Sequence, residues 1–164
     1  MEDGAAFYVK QGDAYIIKLV GDIRDTMGCA LGDVLDGLFA RADFDDIIVD
    51  MTQTHANDST SLGLLAKIAN FSRSHFARKT TLLSTNPDVN QILETMGFYD
   101  IFDIRDTGET ISAALRELAT QDPCKDDLTR VVFEAHRILS ELNPRNEEAF
   151  KSVVENLRAK LDQG

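Results

Sequence analysis

A run of consecutive β-branched residues, Ile47-Ile48-Val49, constrains the fold most. Such runs are typical of a strand buried on both faces, inside a sheet that helices cover. The neighbouring patterns agree, because apolar residues recur at helical spacing over 27–40 and again after a loop at 52–58. The second of these helices has an inward face of Leu62, Leu65, Ile68, Ala69 and Phe76. The run and its neighbours predict an α/β domain.

The other elements complete a βα pattern. Gln11-Gly12-Asp13 suits a hairpin turn between two strands, and Gly97 suits the left-handed end of a helix. In chain order, strands are predicted at Phe7–Val9, Tyr15–Val20, 80–83 and within 98–104, and further helices over 88–96 and 111–118. The order ββαβαβαβα predicts one mixed β-sheet flanked by helices.

The last part of the chain has a different pattern. A polar linker at 119–122 precedes two helical stripes that Asn143-Pro144 separates. The first stripe is Leu128, Val131, Val132, Ala135, Leu139 and Leu142, and the second is Phe150, Val153, Val154, Leu157 and Leu161. We therefore predict one domain over 1–120 and a C-terminal α-helical hairpin extension over 121–164, which serves as a lid or as a surface for a possible homodimer.

Charge and composition exclude several functions. The net charge of −11 argues against binding to nucleic acid or to an anionic membrane, since both need clustered Lys and Arg. No apolar run approaches the roughly 20 residues of a membrane helix, and the N-terminal residues lack the basic and apolar regions of a signal peptide. We expect a cytoplasmic protein with an acidic surface that solubilises it or faces a basic partner.

The cysteines and histidines predict neither a metal site nor a cofactor. Cys29 and Cys124 lie far apart, in unrelated contexts, and are expected to be reduced thiols. His55, His75 and His136 have no metal-ligand spacing with them.

Three hydroxyl residues, Ser59, Thr60 and Ser61, occupy the passage from a strand into a helix, in the segment HANDSTSLGLL. One interpretation is structural, because Asp58 or Ser59 suits the N-cap of that helix. The other is regulatory: a phosphoryl group would add roughly −1.5 to −2 charges at the positive end of the helix. Asp58, with Asp22 and Asp50 on neighbouring strand ends, would repel the phosphoryl group. This local change of charge and shape would abolish the docking of a partner without unfolding the domain.

Several segments of the chain resemble a STAS domain, and in particular the anti-sigma-factor antagonists of bacterial partner-switching modules. They are GDI after the second strand, IIVDM, NDSTSLGLL and ETMGFYDIFDI. The signature of these antagonists is an Asp, two hydroxyl residues, a Gly and an aliphatic residue. Asp58, Ser59 and Thr60 match it, whereas Ser61 stands where the family has Gly.

The resemblance implies a function without enzymatic activity. An anti-sigma factor that is a serine kinase would phosphorylate Ser59, with Thr60 as the alternative acceptor, and a PP2C-type phosphatase would reverse the modification. The dephosphorylated protein would bind the kinase and free its other client, often a sigma factor. The residues expected at the partner-binding surface are Asp22, Asp58, Ser59, Thr60, Ser61 and Leu62.

Rival interpretations have less support in the sequence. No phosphate-binding loop, nucleophile elbow or catalytic His–Cys pair is present. Asp45, Asp46 and Asp50 faintly suggest the acidic pocket of a response-regulator receiver, but the chain opens with two adjacent strands instead of alternating strands and helices. The main alternatives are a non-switching STAS scaffold subunit of a larger complex, for example a transporter, and a ligand-binding STAS domain.

Overall fold

The computed structural model of the chain describes residues 4–106, 116–117 and 128–163. In chain order, its elements are β1 (Ala5–Gln11), β2 (Ala14–Ile23), α1 (Gly28–Arg41), β3 (Asp46–Asn57), α2 (Ser59–Phe76), β4 (Thr80–Leu83), α3 (Pro87–Thr95), β5 (Phe102–Arg105), β6 (Arg116–Glu117), α4 (Leu128–Ser140) and α5 (Pro144–Gln163). Short 3₁₀ helices lie at Asp25–Met27 and Phe98–Asp100.

The strands form one mixed sheet in the order β5-β4-β3-β2-β1-β6. β1 and β2 are an antiparallel hairpin whose turn contains Gly12 at a φ of 63°. β2 to β5 run parallel to one another, which requires the intervening helices as crossovers. The predicted mixed sheet with flanking helices is therefore confirmed. α1 and α3 also lie within one residue of their predicted positions.

The core lies between the sheet and the helices. Ile48 of β3 is only half-buried, so the burial of both faces that the β-branched run predicts is incomplete. Its neighbours Ile47 and Val49, on the other face, are fully buried, and so are Leu65 and Ile68 of α2. Each such side chain contributes about 1.5–3 kcal/mol through its removal from water.

β3 is longer than the sequence indicates, so the loop predicted at 52–58 is wrong. β3 continues to pair with β2 as far as Ile23 and Asn57, and the Thr54 hydroxyl donates to the Leu19 carbonyl at 2.8 Å. Asp50 therefore lies inside the strand, fully buried, where its carboxylate accepts hydrogen bonds from the amide and hydroxyl of Thr52. Its predicted position at a strand end, near the hydroxyl run, is wrong.

α4 and α5 form the predicted helical hairpin, hereafter the C-terminal hairpin. It packs on α2 and α1, and Ala135 and Leu139 of α4 are fully buried. The turn between its helices is anchored to the end of α3, where the Asn146 side-chain amide donates to the Met96 carbonyl at 2.9 Å. In contrast, Val153 of α5 is 39% exposed.

Two predictions concern the segment between the sheet and the C-terminal hairpin, most of which lies outside the described residues. The helix predicted over 111–118 lies outside the described residues except for Arg116 and Glu117, which instead pair with β1 as a short antiparallel strand. The linker at 119–122 and the boundary at 120 also lie outside the described residues, so the domain division stays a prediction.

The expectation of two reduced thiols is wrong at Cys29. This residue is buried at the start of α1 and is disulfide-bonded. The chain's other cysteine, Cys124, lies outside the described residues.

Candidate functional site

The first turn of α2 is built around Asp58. This residue is the N-cap, with extended backbone, and its carboxylate accepts a hydrogen bond from the Ser61 amide at 2.9 Å. The Asp58 amide donates to the Ile23 carbonyl at 3.0 Å, which joins the start of α2 to the end of β2. Ser59 is consequently the first residue of the helix, beside backbone amides that have no partner within the helix.

Ser61 fits the helix without the glycine of the family signature. Its hydroxyl donates to the Asp58 carbonyl at 2.9 Å, and the positive-φ residues among those described do not include it. The left-handed freedom of glycine is not needed at this position, because the helix already begins at Ser59.

An acidic cleft of about 290 Å³ lies beside this first turn. It brings Asp22 at the end of β2 together with Asp58, two residues that the resemblance assigned to the partner surface. Asp25 also lines the cleft, and Arg24 makes a long ion pair of 3.8 Å with Asp22. Three carboxylates with one guanidinium leave the cleft with an excess of negative charge that favours a basic group on a partner.

The Ser59 hydroxyl is hydrogen-bonded to a residue 77 positions away. Its Oγ lies 2.7 Å from Nε2 of His136, on α4. Nδ1 of the same ring lies 2.7 Å from the Val132 carbonyl, which can only accept, so Nδ1 carries a hydrogen. In the neutral ring Nε2 is then the acceptor, and the Ser59 hydroxyl donates its hydrogen to it.

Lys67, two turns further along α2, joins three helices. Its ammonium lies 2.9 Å from the carboxylate of Asp36 on α1 and 3.0 Å from that of Glu134 on α4. Burial alone would lower the pKa of Lys67, but the hydrogen bonds from Asp36 and Glu134 outweigh that effect, and the pKa lies above its usual value. Lys67 therefore stays charged at neutral pH.

The predicted site residues differ greatly in exposure. Ser59, Asp58 and Asp22 are half-buried, whereas Thr60, Ser61 and Leu62 are at most 3% exposed. Asp50 is absent from the site because it is buried inside β3.

Sequence reasoning missed His136, which it considered only as a metal ligand. The residue is 6% exposed and follows Ala135 on the apolar side of α4. A buried histidine within an apolar helical stripe needs hydrogen-bond partners, and this requirement is the one sequence feature that indicates a polar contact at His136. The stripe gave no means of identifying Ser59 as the partner.

Two features are absent from the part of the chain that the structure describes. None of its helices is both long and apolar enough to cross a membrane. Within the same residues, no group of three or more His, Cys, Asp or Glu side chains is arranged to hold a metal ion.

Solved structures of similar fold include anti-sigma factor antagonists. SpoIIAA in its unphosphorylated form aligns with a TM-score of 0.52 at 16% identity, over 63% of this chain and 88% of that one. An antagonist from Mycobacterium paratuberculosis gives 0.53 at 14%, over 64% and 87%. The Bacillus cell fate determinant SpoIIAA in its phosphorylated form gives 0.51 at 15%, over 62% and 90%. At these identities the similarity shows the fold.

The comparison with curated proteins gives no match. The family model of the STAS domain matches residues 8–113, well over half of the chain, from β1 past β5 and across the Ser59 turn. This chain belongs to the STAS domain family.

Proposed function

We propose that the protein is an anti-sigma-factor antagonist of a partner-switching module, with Ser59 as its regulatory phosphoacceptor. The observation that carries the proposal is the position of Ser59 as the first residue of α2, capped by Asp58 and beside the acidic cleft. Membership of the STAS family supports it, as does the similarity of fold to antagonists, one of them phosphorylated.

The chemistry of the first turn suits a phosphoryl group that changes a surface without unfolding it. The amides at the helix start stabilise an added anion by about 0.3–1 kcal/mol. The phosphoryl group adds negative charge beside the carboxylates of Asp58 and Asp22, which repel it, so the cleft becomes much more negative. A partner that docks a basic group into the unmodified cleft would lose that fit. Ser59 is favoured over Thr60 as the acceptor, because Thr60 is only 3% exposed.

The partners follow from this role. An anti-sigma factor that is also a serine kinase binds the dephosphorylated protein and modifies Ser59. A PP2C-type phosphatase reverses the modification, and binding of the antagonist releases the client of the anti-sigma factor. The protein itself acts by binding, in the cytoplasm, without catalysis.

The experiment is incubation with ATP and candidate serine kinases of the same organism, followed by peptide mass spectrometry. We expect phosphate on Ser59 that disappears in Ser59→Ala and persists in Thr60→Ser. Ser59→Asp should lose binding to the kinase that modifies the wild-type protein. If no kinase modifies Ser59 and both Ser59 variants bind partners as the wild type does, the protein is a scaffold STAS subunit and the proposal fails.

A further inference from the structure

The C-terminal hairpin lies over the face of α2 that carries Ser59. A helix packed only on a sheet buries one stripe, whereas the first half of α2 is buried almost all round, at Thr60, Ser61, Leu62, Gly63, Leu64, Leu65 and Ala66. The additional burial comes from α4, which contacts α2 more extensively than any other helix does.

Three positions of α2, each one turn apart, meet α4. Ser59 makes the hydrogen bond to His136, Gly63 touches the backbone at Ala135, and Lys67 pairs with Glu134. The three positions on α2 extend over about 12 Å, whereas their partners on α4 are consecutive residues. The two helices therefore cross steeply, with Gly63 at the crossing point.

Gly63 permits this crossing because it has no side chain. A Cβ at this position would lie 2.6 Å from the Cα of Ala135, much closer than real Cβ atoms approach backbone. Because the added Cβ would meet backbone atoms of Ala135, no flexible side chain can move aside to make room for it. Any larger residue at 63 must push α4 away from α2.

The hydrogen bond to His136 uses the only hydrogen of the Ser59 hydroxyl. Transfer of a phosphoryl group to that oxygen requires the hydrogen to leave and the phosphorus to approach in line. With Nε2 at 2.7 Å from Oγ, that side of the hydroxyl is occupied by the C-terminal hairpin.

We propose that the C-terminal hairpin masks Ser59 in cis, and that α4 must move off the first turns of α2 before a kinase or another protein partner reaches the hydroxyl. The proposal adds a regulatory step to the proposed function and rests on it for its biological meaning, but the masking itself needs no kinase. It also makes the closed C-terminal hairpin and a phosphorylated Ser59 mutually exclusive.

The test measures access to position 59 chemically, without any kinase. In Ser59→Cys, the introduced thiol is alkylated with iodoacetamide, and peptide mass spectrometry follows the rate at that position alone. The release variant is Gly63→Ala. The matched control is Gly32→Ala, since a Cβ at this α1 position meets nothing within 4 Å. Both changes replace a helical glycine with alanine.

We expect Gly63→Ala to accelerate alkylation by roughly 5- to 150-fold, the range that corresponds to an overpacking cost of about 1–3 kcal/mol. Gly32→Ala should leave the rate unchanged. Amide hydrogen exchange on the chain with native Ser59 should show α4 losing protection in Gly63→Ala while β3 keeps its own. Equal alkylation rates in all three proteins would overturn the proposal.

A second variant covers the possibility that Gly63→Ala also disturbs α2. Asn146→Ala acts away from α2, near the turn between α4 and α5, where it removes the hydrogen bond to the Met96 carbonyl. It should accelerate alkylation in the same direction. Loss of protection in α4 without faster alkylation, in either variant, would show that α4 does not mask Ser59.

The outcomes separate masking from phosphorylation. Faster alkylation in the release variants establishes the mask even if no kinase modifies Ser59, in which case the proposed function fails alone. Conversely, a kinase could modify Ser59 at the same rate in the wild-type protein, Gly32→Ala and Gly63→Ala. That result would support the proposed phosphorylation switch and exclude the masking by the C-terminal hairpin.

Discussion

The two sides of α2 are held in different ways. On the side facing the sheet, Leu65 and Ile68 are fully buried, and the Ser72 hydroxyl accepts a hydrogen bond from Thr80 of β4. About 200° around the helix from Leu65, the side facing α4 carries Ser59 and Gly63, which contribute a hydrogen bond and a backbone contact.

This difference determines which of the two contacts of α2 can open. The sheet side belongs to the continuous core, whereas α4 brings into that core chiefly Ile138 and Leu139. At about 1.5–3 kcal/mol each, these two side chains make opening a rare event that does not require unfolding of the sheet. The C-terminal hairpin is therefore a closed but separable layer.

The largest effect is expected on the sheet side. Leu65→Ala should reduce the free energy of unfolding by about 2–5 kcal/mol, because it leaves a cavity in the core. Urea denaturation measures the loss, and the matched control Leu161→Ala, at a half-buried position of α5, should lose less than about 1 kcal/mol. Similar losses in both variants would remove the distinction between the two layers.

A smaller effect is expected where α2 begins. Asp58→Ala removes the carboxylate that caps the Ser61 amide and should cost about 1 kcal/mol. Asp58→Asn is the control, since asparagine caps equally well, and it should cost at most a few tenths of a kcal/mol. Thermal unfolding of the three proteins measures both values. Equal losses in the two variants would mean that charge, not capping, is the role of Asp58.

The smallest effect concerns the ion pairs of Lys67. The pKa of Lys67 is raised in the folded protein, so its contribution is fully present below the unfolded value of 10.5 and is lost as the pH rises through the folded value. Lys67→Met should lose up to about 1 kcal/mol at pH 7, since Asp36 is largely exposed and Glu134 partly so.

The difference in unfolding free energy between the wild-type protein and Lys67→Met should stay constant from pH 7 to about pH 10 and shrink above that. A difference that already shrinks below pH 9 would contradict the raised pKa.

Local patterns predict much of this fold. The β-branched run at Ile47, the turn at Gly12 and the left-handed Gly97 each depend on neighbouring residues, and all three appear as expected. The end of β3 was missed because the polar residues from Thr52 to Asn57 carry no strand pattern, and it is the pairing with β2 that extends the strand. β6 was missed for the same reason, since only β1 makes it a strand.

The candidate site was predictable only in its local part. Asp58 as the N-cap and Ser59 at the helix start follow from a few adjacent residues. The stripes of α4 and α5 indicate that these helices pack, but not on which surface. The meeting of Ser59 with His136 depends on contacts between segments 77 residues apart, and no periodicity encodes it.

The anchor of the C-terminal hairpin at Met96 has a consequence for competition. Asn143 and Asn146 both donate to that carbonyl, so α4 remains tethered close to α2 after it has moved away. Its effective concentration at the Ser59 face is then of millimolar order and independent of how much protein the cell makes. Under the proposed function, a partner that binds this face must overcome that local concentration, so the threshold for switching would depend on the partner's abundance and affinity and not on the concentration of this protein.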